Sequence, residues 1–111
     1  MLSWIKYHFR HLANWRKYAE AIAHSVKEII GEEVEVYVIG GVAENRVTVL
    51  SDIDILIVIP DNMDPRGLSV EILVNAIDKH GLPWDAPVEL HIVHRSEAKQ
   101  YLSRSKHIRI L

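Results

Sequence analysis

With 111 residues, 49% apolar and 25% charged, the chain suits one soluble globular domain with one modest core. A net charge of −2 excludes gripping nucleic acid by overall charge, and the lack of cysteine excludes disulfides and thiolate metal sites. No apolar run reaches the roughly 18 residues of a membrane span. Lys6, His8, Arg10 and His11 rule out a signal-peptide core, so the cytoplasm is the expected compartment.

From about Ser3 to Ile30, apolar residues recur at intervals of three and four: Trp4, Tyr7, Leu12, Trp15, Tyr18, Ile22, Val26 and Ile29. This spacing predicts one long amphipathic helix, stopped by Gly31. Trp4, Tyr7, Trp15 and Tyr18 are expected in the core. A domain this small leaves some aromatics uncovered, and an exposed aromatic end would suit a partner. His8 and His11 have no acid in register with them and are not expected to ligate metal.

Val34 to Ile39 alternates and is β-branched, which predicts a strand ended by Gly40 and Gly41. Val42 to Asn45 forms a tight turn or one helical turn. A second strand holds Asp52 and Asp54 and ends at Pro60. Asp61 to Gly67 is a loop by composition. Leu68 to His80 has helical spacing and is closed by Gly81. After a loop from Pro83 to Pro87, Val88 to Val93 is a third strand. Ser96 to about Ser103 is a short helix capped by Ser96, and Ile108 to Leu111 is an extra strand or a tail. The order predicts an α+β fold (two-layer α/β): a small mixed sheet with helices packed on one face. The other face is open or covered by a partner. The whole of 1–111 reads as a single domain.

The run Ser51-Asp52-Ile53-Asp54-Ile55-Leu56-Ile57-Val58-Ile59 carries most of the chemistry. It is too apolar and β-branched to be other than a buried strand. Two carboxylates at its start share a face, roughly 6.5–7 Å apart along the strand. They are unfavourable there without a cation, and a divalent metal answers that need. Asp52 and Asp54 can converge on a metal pair about 3.5–4 Å apart, the arrangement of two-metal phosphoryl transfer. Oxygen ligands of this kind suit Mg²⁺. Glu89 is the candidate third carboxylate, because it interrupts an apolar strand on the face opposite Val88, Leu90 and Ile92. His91 shares that face and borders the site. Gly40 and Gly41 let backbone N–H groups approach a triphosphate. Asn45 tolerates a left-handed conformation and can close the same turn. Ser51 can bond a phosphate oxygen or the turn backbone.

Val38-Ile39-Gly40-Gly41, Ser51-Asp52-Ile53-Asp54-Ile55 and Val88-Glu89-Leu90 together resemble the nucleotidyltransferase superfamily related to DNA polymerase β. The nearest likeness is to its minimal nucleotidyltransferase members, and it covers about Val34 to Val93. The resemblance implies Mg²⁺- or Mn²⁺-dependent transfer of a nucleotidyl group from a nucleoside triphosphate (NTP) to a hydroxyl. Asp52, Asp54 and Glu89 would be the catalytic and metal-holding residues. Gly40, Gly41, Asn45 and Ser51 would bind the nucleotide. Three positions depart from the pattern. Gly41 stands where serine is common, Asn45 where glycine is frequent, and Glu89 where aspartate is usual. Minimal members resemble the partners of HEPN-type proteins in toxin–antitoxin pairs, so such a protein is the implied partner and acceptor.

A module of another class fits the same fold: a catalytically inert binder of nucleotide or partner. Asp52 and Asp54 would then cap a strand start or pair with Arg46. Arg95, Lys99, Arg104, Lys106 and Arg109 form a basic C-terminal run, which reads as a solvated face. Nucleic acid is not the expected partner, and self-association through a sheet edge or the Trp4 region is open.

Overall fold

Four strands form one mixed sheet: β1 (Glu35–Ile39), β2 (Ile53–Ile59), β3 (Val88–His94) and β4 (Ile108–Arg109). Their order is β3-β2-β1-β4. The structure is a computed structural model that describes residues 2–48, 51–104 and 106–111, with Leu2 as backbone alone. β2 runs antiparallel to β1 and parallel to β3, and β4 pairs antiparallel with the far edge of β1. A parallel pair needs a crossover. Here the helix α4 (Leu68–Lys79) supplies it. The mixed α+β sheet expected from the sequence is the one observed, with β4 as a short edge strand rather than a tail.

Strand alternation gives the sheet two unlike faces. On one, Val36, Val38, Ile53, Ile55, Ile57 and Ile59 meet α4 and a second long helix, α2 (Trp15–Ile30). Ile22 and Val26 of α2 and Ile72 and Ala76 of α4 are fully buried against them. Each such isoleucine stabilises the fold by about 1.5–3 kcal/mol relative to exposure. The Ser25 hydroxyl donates to the Ile72 carbonyl at 2.8 Å and fastens α2 to α4.

The second face carries Tyr37, Leu56, Val58 and Val93 under the short helix α5 (Arg95–Leu102), which contributes Ala98 and Leu102. This face is therefore partly covered from within the chain. The reason is local. α5 begins directly after β3, and the His94 N–H donates to the Glu97 carboxylate at 3.2 Å, so the chain folds back at once. His94 is the cap, not Ser96. The Ser96 N–H is taken instead by Asp61 at 3.0 Å. The His94 ring bonds the Met63 carbonyl at 2.8 Å, and that bond, with Glu97 beside it, pushes the imidazole pKa up.

The long N-terminal helix is two helices. α1 (Leu2–Ala13) and α2 are separated at Asn14. The Asn14 side chain donates to the Arg10 carbonyl at 2.8 Å, and its own N–H reaches the His11 carbonyl at 3.0 Å. Asparagine thus offers the backbone an alternative to the next helical turn. The apolar spacing runs through the break, which is why it does not betray it. Across the break, His11 Nδ1 and the Tyr18 hydroxyl lie 2.6 Å apart. Tyr18 is buried as expected, but Trp4 (51% exposed) and Tyr7 (49%) are not core residues. Once turned at Asn14, α1 leaves the sheet and lies on loops. Among the described residues, no helix is long and apolar enough to cross a membrane.

Candidate active site

The pairing register builds the site. β2 and β3 run side by side with Asp54 aligned to Glu89 and Leu56 to His91. Aligned residues in neighbouring strands share a face about 4.8 Å apart. One ligand atom from each of Asp54, Glu89 and His91 lies within 4.8 Å of the other two. His91 Nε2 is 3.2 Å from Asp54 Oδ1. Glu89 is exposed, while Asp54 and His91 are half-buried. All three stand on the face that α5 covers only further along, over Leu56 and Val58.

β1 supplies the glycine turn. Ile39 lies opposite Asp54, so Gly40 falls beside the carboxylate. A Cβ on Gly40 would sit 2.5 Å from Asp54 Oδ2, and the residue has φ 70°. Both facts demand glycine: the missing side chain is the space that the carboxylate fills. The short helix α3 (Gly40–Ala43) then begins. Gly41 answers a different constraint. Its Cβ would meet the Arg46 carbonyl oxygen at 2.9 Å. The Arg46 N–H donates back to the Gly41 carbonyl at 2.7 Å, so the chain doubles on itself here. A serine at 41 has no room, which accounts for the departure from the common pattern. Asn45, at φ 58°, takes the left-handed conformation expected of it.

The remaining expected site residues are placed unequally. Ser51 is at the turn, where its hydroxyl accepts the Thr48 N–H at 2.8 Å. Asp52 is exposed, one residue before β2, and stands outside the 4.8 Å group. Arg46 pairs with Glu44 at 2.8 Å and with neither aspartate. The site thus unites Asp54, Glu89 and Gly40, adds His91, and leaves Asp52 at its margin.

Three residues of α1 fasten the loops that deliver the acids. His8 Nε2 donates to the Ser51 carbonyl at 2.9 Å, just ahead of Asp52. The Tyr7 hydroxyl donates to Asp85 at 2.5 Å, in the loop ahead of Glu89. His11 Nε2 lies 3.6 Å from the other Asp85 oxygen. The Tyr7 hydroxyl, helped by His11, holds the Asp85 carboxyl below the usual carboxylate range, and the same bond raises the Tyr7 phenol. These partners are 43 and 78 residues away for His8 and Tyr7, so no local pattern announces them.

Comparison with known proteins follows the same lines. The chain is similar in fold to a provisionally assigned nucleotidyltransferase from Sulfolobus solfataricus. The TM-score is 0.56 and the identity 21%, over 94% of this chain and 84% of that one. No protein of curated function matches. The sequence profile of the nucleotidyltransferase domain matches residues 19–109. That span runs from α2 to β4 and takes in the glycine turn and every member of the acidic group, so the chain belongs to the nucleotidyltransferase domain family.

Proposed function

We propose that this domain is a metal-dependent enzyme that moves a nucleoside monophosphate from an NTP to a hydroxyl acceptor and releases pyrophosphate. One observation carries the reading: two carboxylates and an imidazole converge within 4.8 Å. They do so beside a glycine whose missing side chain makes room for one of the carboxylates.

The donor set fits a divalent ion, because it is oxygen-rich and half-open to a substrate that brings further oxygens. Asp54 and Glu89 would hold Mg²⁺ or Mn²⁺, and Asp52, at the margin, would hold a second ion together with the triphosphate. When bound, such ions offset the triphosphate charge and make the attacking hydroxyl more acidic. The chain's own residues do the rest. Backbone N–H groups at Gly40 and Gly41 cradle the phosphates, with the Asn45 turn and Ser51 shaping the loop. Glu89, exposed at the edge of the group, accepts the proton of the acceptor hydroxyl. The hydroxyl oxygen bonds to the α-phosphorus as the α–β anhydride bond breaks, and pyrophosphate leaves with the electron pair.

For the acceptor we favour a hydroxyl on a HEPN-type partner protein. Trp4 and Tyr7 are half-exposed on α1, and α1 is bonded to both loops that lead into the site. A protein seated on those aromatics would bear on the helix that holds both loops.

The test is transfer of label from each of the four α-³²P-labelled triphosphates, in Mg²⁺ or Mn²⁺, with and without the product of the adjacent gene. Label on the partner that disappears with Asp54→Asn is the expected result. Tight partner binding with no label under any condition would replace this reading with an inert binding module.

A further inference from the structure

We propose that His91 is a nitrogen ligand of the metal site formed by Asp54 and Glu89, and that it tilts the domain's metal preference from Mg²⁺ toward Mn²⁺. The inference rests on the reading of that site as metal-dependent, and adds to it a ligand and a selectivity.

The placement argues for a ligand. His91 follows Glu89 by two residues on the same strand, so both project from one face. Its Nε2 lies 3.2 Å from Asp54 Oδ1. Two ligands at right angles on an octahedral ion, each about 2.1 Å from it, stand about 3 Å apart. The observed spacing is therefore that of neighbouring ligands as well as of a weak hydrogen bond. The ring is half-buried, and among the described residues Asp54 is its one hydrogen-bond partner. Packing does not ask for it. Apolar β3 residues on the other face, such as Leu90 and Ile92, serve the main core, and Val93 fills the space under α5. A histidine between an acid and an apolar contact on that face is not called for by packing, and beyond its one bond to Asp54 it has a chemical role available.

The chemistry then sets the selectivity. Mg²⁺ takes oxygen ligands and parts with water reluctantly. Imidazole nitrogen suits Zn, Cu, Fe and Ni best; Mn²⁺ shares the oxygen preference of Mg²⁺ but, as a transition ion, tolerates a nitrogen ligand better than Mg²⁺ does. An apolar residue at position 91 would leave a site of oxygens alone.

The experiment uses the intact chain with Mn²⁺ and inorganic tripolyphosphate, which supplies phosphate oxygens but no nitrogen. Pulsed electron paramagnetic resonance reads ¹⁴N coupling to the bound Mn²⁺, and ¹⁵N-histidine labelling identifies its source. Titration gives Kd for Mn²⁺ and Mg²⁺ separately. Native protein is expected to show the coupling, and His91→Ala and His91→Gln to lose it; glutamine keeps a polar contact to Asp54 without an imidazole. Mn²⁺ binding should weaken by roughly tenfold in both variants, the least expected when even an orienting residue is lost, with Mg²⁺ binding changed by less than about twofold. Mn²⁺ bound without histidine coupling, or an equal loss for both metals, overturns the role of His91 and leaves the metal-dependent reading standing. Failure to bind either metal overturns both.

Discussion

The two faces of the sheet are built to opposite rules. The face under α2 and α4 is closed and apolar, and the Ser25 hydroxyl buried there is satisfied at once by the Ile72 carbonyl. The other face is apolar only where α5 lies on it, and at the start of β2 and β3 it turns to carboxylates and imidazole. The same strand, β2, serves both. Its odd-numbered isoleucines from 53 to 59 are wholly buried, while Asp54 on the other side stays half-open. Alternation lets one strand carry the stability of the domain on one side and the proposed chemistry on the other.

Four substitutions would break or sharpen that contrast. Ile57→Ala, on the closed face, should cost about 2–5 kcal/mol by urea unfolding. Transfer per folded molecule should stay near native, and a selective loss of transfer would show that the faces are not separate. Asp54→Asn, on the open face of the same strand, should lower transfer about a hundredfold or more. Its melting temperature should hold or rise, since functional acids often oppose stability. A large drop in melting temperature would mark Asp54 as structural instead. Gly40→Ala joins both effects. Its positive φ should cost about 1–3 kcal/mol. The added Cβ, only 2.5 Å from Asp54 Oδ2, should also remove most transfer.

The smallest effect concerns the loops rather than the faces. Asp85 has its folded pKa depressed, first by the Tyr7 hydroxyl. Its contribution is therefore present above the unfolded aspartate value, near about 3.9, and lost as pH falls through the lower folded value. Asp85→Asn should destabilise modestly at pH 7, and the difference from native protein should start to shrink near about pH 4 and close once pH is below the lower folded value, in denaturant unfolding. A difference that persists there would deny the Tyr7 bond its role.

The elements legible in the sequence were those whose pattern is local. β2 could be read from four alternating isoleucines, with Asp54 on the opposite face; shared parity also grouped Asp52 with it, which lies before the strand and outside the cluster. The turn at Gly40 followed from two glycines after a strand. Even the left-handed Asn45 followed from its residue type. What escaped is non-local or a competition between near-equal options. The break at Asn14 hides inside an apolar period that continues on both sides, and one side-chain bond to Arg10 decides it. Trp4 and Tyr7 fall outside the core because their helix parts from α2 at Asn14, a turn that apolar spacing does not encode. Composition could not reveal that Tyr7 and His8 hold loops. The reason for glycine at 41 lies in a carbonyl five residues on, which only the folded turn brings near.

The parallel register of β2 and β3 also bears on how the protein folds. Asp54 and Glu89 meet only after the crossover through α4 has closed, with its loop-closure entropy already spent. Pairings of this range form late relative to local helices. A partly folded chain with α2 and α4 in place would hold much of the apolar core but not the acid cluster. Recovery of the proposed metal binding during refolding would then trail recovery of helical signal, and the lag would time the docking of β3.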